Sequence, residues 1–340
     1  MNRFPCEVEK TVNDTLAVKK PGTVTFALVT DTHLSDNGDD TRAAMAEVDG
    51  QVGYEFVLHL GDFLNGFNPP KMSARLYGEE AEAYAAAVKA NKLFVVQGNH
   101  DGFRDETWYG QNIPDAKPDD WFHDRTRFVD GYPETVRHGD DPFYYADFPE
   151  HQLRLVCMCS MDYTFEPEEK KWKTWNAVSQ RQYVWFCREA VQVPDGWTVL
   201  VCSHIPPVGI HREDLEYAGI AAHHGRDCCE VLCAMIRREK AVIGGEEVDF
   251  TGRDVRVAAW LFGDTHGDTQ RKYKELTMIS TASQTAYIPQ LWALDYGGFP
   301  SPRTLGTKDQ DCWDSVVLNT EEKTLHLFRF GAGEDRVVEF

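Results

Sequence analysis

Apolar residues in this chain come in short blocks that break off at polar clusters. "TVTFALVTDTH" (23–33), "EFVLHLGDF" (55–63) and "KLFVVQGNHD" (92–101) are three such blocks. Each is rich in β-branched and aromatic residues and predicts a buried strand. Between them, "RAAMAEVDGQ" and the alanine-rich "SARLYGEEAEAYAAAVKAN" (73–91) carry helical patterns. Strand, helix, strand, helix, strand is the rhythm of a parallel sheet. Further on, "PFYYADF" and "LRLVCMCSMD" predict a hairpin. "SQRQYVWFCREAV" (179–191) predicts an amphipathic helix opened by a serine cap, and "GWTVLVCSH" (196–204) another buried strand. "RDCCEVLCAMIRRE" (226–239) predicts a helix, "DVRVAAWLFGDTH" and "LTMISTAS" predict strands, and "CWDSVVLNTEEKTLHLFRF" a closing hairpin. Residues 1–22 read as an arm closed by Pro21 and Gly22. Residues 102–142, rich in Asp, Pro, Trp and Tyr, break the rhythm and read as a long insertion.

Composition narrows this picture. With 340 residues and 42% apolar content, the chain can build one large α/β domain over 1–340, with loop insertions near 102–142, 205–225 and 283–311. Lys and Arg number 35 against 55 Asp and Glu, a net charge of −20. Long nucleic acid and anionic membranes are poor partners for such a chain. A small phosphorylated substrate stays open if cations supply local positive charge. The nine cysteines form no secreted disulfide spacing and read as reduced thiols, so the expected location is the cytoplasm. Cys228, Cys229 and Cys233 lack a fourth ligand nearby and read as small apolar residues on a helix. The first ten residues lack a hydrophobic signal core, and no apolar run approaches the roughly 18–20 residues that span a bilayer.

Chemistry concentrates where the apolar blocks end. The strand tips carry Asp31 and His33; Gly61 and Asp62; Gly98, Asn99, His100 and Asp101; His204; and Gly263, Asp264 and His266. Carboxylates and imidazoles suit divalent ions such as Mn, Fe and Zn, and an asparagine carbonyl adds a neutral oxygen. Residues i and i+2 of an extended segment share a face, so Asp31 and His33 are expected to reach one ion together. The same D-T-H ending recurs at 264–266. Glycine before a ligand lets the backbone turn and leaves room for an ion.

In the order D-x-H, G-D, G-N-H-D, H, G-x-x-H, these blocks span residues 23 to 266 and resemble the calcineurin-like metallophosphoesterases. The resemblance implies a four-layer αββα sandwich of two mixed sheets, with a dinuclear metal centre at the strand tips. It implies that Asp31, His33 and His266 bind the first ion, Asn99 and His204 the second, and that Asp62 bridges them. His100 would face the substrate. Asp264 stands where the family usually has a histidine on the second ion, so the second D-T-H is expected to straddle the centre. An anionic oxygen there favours Mn²⁺ over Zn²⁺. In many members an aspartate orients the catalytic histidine; here that position is Asn65, and Asn65 or Asp101 is expected to orient His100.

The implied activity is metal-dependent hydrolysis of a phosphomonoester or phosphodiester of a small molecule or nucleotide. Two divalent ions, Mn²⁺ and/or Fe²⁺/Fe³⁺ with Zn²⁺ also suited, would share a hydroxide that attacks phosphorus, while His100 protonates the leaving group as general acid. One alternative is a catalytically silent scaffold or binding protein on the same fold, supported only by Asp264 and Asn65. Another, within the family, is a nuclease or nucleotide pyrophosphatase. Outside these blocks, His59 reads as a core histidine. His211, Arg212, His223 and His224 read as loop residues, either solvated or touching substrate. "RKYK" (271–274) reads as a solvated strand end or an anion lure. Trp108, Tyr109, Trp121 and Phe122 either stack on a base or pack the insertion against the core.

Overall fold

A computed structural model describes residues 4–66, 70–101, 125–162, 164–166, 171–173, 178–208, 224–286 and 303–340. Helix α1 (Pro5–Val18) comes first, followed by β1 (Val24–Val29), α2 (Gly38–Val52), β2 (Phe56–His59), α3 (Pro70–Ala86) and β3 (Leu93–Val95). Then come β4 (Thr135–Val136), β5 (Tyr144–Phe148), β6 (Leu153–Cys157) and the small hairpin β7 (Thr164–Glu166) and β8 (Lys171–Lys173). Helix α4 (Gln180–Trp185) runs into a π turn, and β9 (Thr198–Cys202) and α5 (Gly225–Arg237) follow. The remainder is β10 (Lys240–Ile243), β11 (Glu246–Asp249), β12 (Arg256–Phe262), β13 (Thr269–Tyr273), β14 (Leu276–Ser280), β15 (Cys312–Asn319), β16 (Thr324–Gly331) and β17 (Arg336–Glu339).

One sheet has the order β17-β16-β15-β1-β2-β3, the other β13-β14-β12-β9-β6-β5-β4. Both are mixed: β1, β2 and β3 run parallel, with β3 at one edge, as do β6, β9, β12 and β14, and antiparallel strands complete the other edge of the first sheet and both edges of the second. The period-two geometry of a strand sorts its residues between layers. Phe26 and Leu28 face the other sheet and pack with Leu155, Leu200, Leu261 and Leu327, whereas Ala27 and Val29 face α1, α2 and α3. On the second sheet, Leu200 and Cys202 point inward, and Val199 and Val201 pack outward with α4 and α5. Two sheets with helices on both outer faces make the αββα sandwich. Fully burying each of these aliphatic or aromatic side chains contributes roughly 1.5–3 kcal/mol.

The segment expected as an N-terminal arm is instead α1. Pro5 sits in its first turn, where the missing N–H costs nothing. Its inward face is Val8, Thr11, Val12 and Thr15, and the two threonines broke the apolar periodicity in the sequence. Burial of the Thr15 hydroxyl is workable because it donates to Thr11 O at 2.6 Å and meets Ser315 Oγ at 2.8 Å. The serine cap of α4 is present: Ser179 Oγ accepts from Gln182 N. Cys228, Cys229 and Cys233 are buried in the outer core around α5. Among the described residues no helix is long and apolar enough to cross a membrane.

Candidate active site

The C-terminal ends of β1, β2, β3, β9 and β12 meet, which is where parallel sheets place their sites. The loops there are laced by the backbone. Asp31 N donates to Gly61 O at 3.0 Å, His33 N to Asp62 O at 3.0 Å, and Gly263 N to His204 O at 2.8 Å. The D-T-H segments are not extended, which corrects the i, i+2 expectation. Asp31, His33, Asp62, Asp264 and His266 all take positive φ, between 49° and 61°. Non-glycine residues adopt that region at a cost and cluster there at functional sites. Both D-T-H copies converge by curling, not by alternating along a strand.

Close packing at three glycines makes the curl feasible. A Cβ on Gly98 would lie 2.2 Å from both the Asp62 N and Oδ1 atoms. One on Gly61 would meet His204 Nδ1 at 2.8 Å, and one on Gly263 would meet Thr30 Oγ1 at 2.2 Å. Gly98→Ala should therefore lower stability by about 1–3 kcal/mol through overpacking. Gly50→Ala, in the exposed interior of α2 with nothing within 4 Å, should raise it by roughly 0.5–1 kcal/mol. Urea unfolding of the two variants checks both signs.

Histidine rings are held from behind. His33 Nδ1–H donates to Leu64 O at 3.0 Å, His204 Nδ1–H to Leu60 O at 2.7 Å, and His100 Nδ1–H to Asn65 O at 2.9 Å. Each bond selects one tautomer and aims Nε2 inward, the usual support of a metal-binding imidazole. Inside, His33 Nε2 lies 3.2 Å from His266 Nε2 and 3.8 Å from both Asp31 Oδ1 and Asp62 Oδ2. His266 Nε2 is 3.2 Å from Asp31 Oδ1. Across the centre, His204 Nε2 is 2.9 Å from Asn99 Oδ1, 3.3 Å from Asp62 Oδ2 and 3.7 Å from Asp264 Oδ1. Asp31, His33, Asp62 and His266 present ligand atoms within 4.8 Å of one another. Asp31 Oδ1 is buried and makes no hydrogen bond. A buried carboxylate oxygen without a donor, facing imidazole nitrogens, fits a cation.

Electrostatics agree with a crowded anionic centre. Burial opposes ionisation of Asp31, and the His266 and His204 rings overcome it and hold its carboxyl below the usual range. Burial likewise opposes ionisation of Asp62, and His204 and His100 hold it well below that range. His204 is pushed well up: burial disfavours its charge, but Asp62, Asp31 and Asp264 outweigh that. His266 is raised in the same way by Asp31. Burial lowers His33. Loss of water raises Asp264 to about 6, with His204 pulling the other way and Asp31 and Asp62 adding to the rise.

Two orienting roles come out differently. Asn65 meets His100 through its main-chain carbonyl, and its side chain is exposed. Asp101 does not orient the ring. Its carboxylate accepts from the backbone N–H groups of Gly98, Asp62, Phe63 and Leu64, tying the G-D loop to the G-N-H-D loop. Burial first, and then Asp62, raises Asp101 to about 6. His59 is the core histidine expected: it stacks on Phe63 at 3.6 Å, faces Thr32 Oγ1 at 3.3 Å, and burial drives it down to about 3. His224 stacks on Tyr183 and pairs with Asp227 at 2.8 Å, so it supports α5. Lys274 of "RKYK" pairs with Glu230 at 2.6 Å. Trp108, Tyr109, Trp121, Phe122, His211, Arg212 and His223 lie outside the described residues.

A family model described as calcineurin-like phosphoesterase matches residues 24–268. The chain belongs to that family. No curated protein matches it. Among solved structures, a dimetal phosphatase from Danio rerio is similar at a TM-score of 0.52 and 14% identity, covering 94% of this chain and 100% of its own. That likeness shows the shared sandwich. The phosphopantetheinyl hydrolase of Mycobacterium tuberculosis is more distant, with a TM-score of 0.40 and 12% identity over 82% of this chain and 95% of its own. In this calcineurin-like chain, the residue that departs from the expected pattern, Asp264, lies on the His204 side of the centre. Its backbone N–H donates to Asp31 Oδ2 at 3.2 Å. The backbone acceptors Leu60, Leu64 and Asn65 were invisible to sequence reading, because a carbonyl carries no residue signature.

Proposed function

We propose that this protein is a metal-dependent phosphoester hydrolase acting on a small phosphorylated substrate. The observation that carries this is the set of pinned imidazoles and buried carboxylates whose ligand atoms converge at the strand tips. Asp31, His33 and His266 would hold one ion and Asn99, His204 and Asp264 the other, with Asp62 between them. Bound there, two divalent cations supply charge neutralisation on the phosphoryl oxygens and acidify water towards neutral pH. Asp264 adds a third carboxylate, which favours Mn²⁺ or iron over Zn²⁺. The chain's own residues do the rest. Burial excludes water around Asp31, Asp62 and His204. The Asn65 carbonyl keeps the His100 Nδ1 proton in place, so His100 delivers its other proton, from Nε2, to the leaving oxygen. The net charge of −20 disfavours long nucleic acid, and cysteines held outside any disulfide suit a reducing cytoplasm.

The test is turnover of p-nitrophenyl phosphate, bis-p-nitrophenyl phosphate and an alkyl phosphate by protein supplied with Mn²⁺. His100→Ala should cost about 10²–10⁴-fold on the alkyl ester, the range for a general acid. The loss should be smaller with p-nitrophenolate, a weak base that departs without a proton. Absence of turnover above the His100→Ala level for every substrate and metal would sink the reading in favour of a silent scaffold.

A further inference from the structure

The strands beyond residue 268, outside the stretch the family model matches, enclose a buried ionic network. Arg329, on β16, is 1% exposed. Its fork grips Asp268 with both ends: Nη1 donates to Oδ2 and Nη2 to Oδ1, each at 2.7 Å. Its Nε donates to Asp314 Oδ1 at 2.9 Å. Arg336, on β17, donates to Asp314 Oδ2 at 2.7 Å and lies 3.4 Å from Asp268 Oδ1. Two guanidiniums thus balance two carboxylates. Burying such a set seldom gains stability over apolar residues of the same size, so its use here points to a geometric role.

The network touches both arms of the metal-binding loops. Asp268 lies two residues after His266, and its Oδ1 also accepts from Ala282 N at 3.0 Å. Arg336 Nη1 donates to Ser280 O at 2.7 Å, and Arg329 Nη2 to Thr281 Oγ1 at 3.0 Å. From that anchored stretch the chain reaches Ser283, whose Oγ donates to Asp31 O at 2.8 Å, and Gln284, whose N–H donates to Thr30 O at 3.0 Å. Asp31 and His266 sit at φ 52° and 56°, a conformation the local chain does not favour by itself. Something outside the loops must hold them. His204 and Asn99 rest on other strand tips: the His204 ring is held by Leu60 O and lies against Asn99, Asp62 and Asp264.

We propose that Arg329 is a positioning residue. Through its bidentate grip on Asp268 it fixes the pair Asp31 and His266, and with them the first of the two ion sites. This rests on reading those residues as metal ligands. It assigns the C-terminal β15–β17 hairpins a role in the site that no motif in them signals.

Mn²⁺ titration calorimetry, with circular dichroism to establish folding, tests this on the full chain. Asp268→Asn keeps shape and removes charge. Arg329→Lys keeps charge and removes the fork. Gly333→Ala would put a Cβ 2.4 Å from Arg329 Nη1 and 2.5 Å from Asp268 Oδ2, at a φ of 109°. Each should weaken one of two Mn²⁺ sites about 10–100-fold, the range for outer partners of a metal ligand, and weaken the other, coupled to it through Asp62 and through the Asp264 N–H on Asp31, by clearly less. Asp268→Asn is the mildest and stands as the deciding variant should the others fail to fold. Two unaltered Mn²⁺ affinities with only a lower melting temperature overturn the positioning role and leave the metal-site reading intact. A wild-type protein that takes up no Mn²⁺ overturns both.

Discussion

Asp62→Asn is expected to fold normally and lose both Mn²⁺ binding and turnover. Asp62 is 1% exposed and lies between the two groups of ligands, with Oδ2 3.3 Å from His204 Nε2 and 3.8 Å from His33 Nε2. An amide there offers one neutral oxygen where a carboxylate offers a shared charge. The loss should exceed the roughly 100-fold upper range for groups that act only through a ligand. Asparagine suits the site structurally for two reasons. Asp62 has φ 61°, a region asparagine tolerates better than most residues. Its Oδ1 accepts from His100 N at 2.7 Å, which an amide oxygen also does. The variant therefore isolates charge from fold. Calorimetry, turnover and circular dichroism check it together, and wild-type Mn²⁺ affinity in a folded Asp62→Asn protein would remove Asp62 from the site.

Arg329→Met should cost the most stability of any single change considered, about 3–5 kcal/mol, the range for removing one partner of a buried ion pair. The reason is what remains: Asp268 loses both of its charged 2.7 Å bonds, and Asp314 keeps Arg336 as its one charged partner among the described residues, with the Thr281 hydroxyl beside it. Methionine fills much of the space, so the cost comes from uncompensated buried charge more than from a cavity. Adding Asp268→Asn to the same chain should recover a large part of the loss, because the stranded charge goes with it while Arg336 still balances Asp314. Urea midpoints at constant slope measure both steps. A double variant no more stable than Arg329→Met alone would mean that the packing of Arg329, not its charge, is what matters.

Much of the sandwich was legible because its central strands, such as β1, β2, β9 and β12, are nearly all apolar and end abruptly, whereas the polar edge strands β13 and β17 gave no such signal. Period-two burial between two layers and clean polar stops are local signals. The first helix was missed because Thr11 and Thr15 occupy its buried face, and a buried threonine looks polar until its hydroxyl partner is known. The ligand types and their order were also legible, since glycine, aspartate and histidine at strand ends are unusual in combination. The orienting group for His100 was misread. The sequence offered the side chains of Asn65 and Asp101, and the fold used the Asn65 main-chain carbonyl while Asp101 tied loops together.

By itself the sequence named the candidate metal-binding residues and the strand ends on which they stand, among them Asp264, a carboxylate where the family resemblance leads one to expect an imidazole. Those are matters of residue identity and local periodicity. Only the tertiary structure decided how they meet. The left-handed turns of both D-T-H segments, the carbonyls that select each imidazole tautomer, and the grip of Arg329 on Asp268 across 61 residues all depend on contacts between distant segments. A backbone carbonyl leaves no mark in the sequence, and an arginine gives no sign of its partner until the sheets have packed.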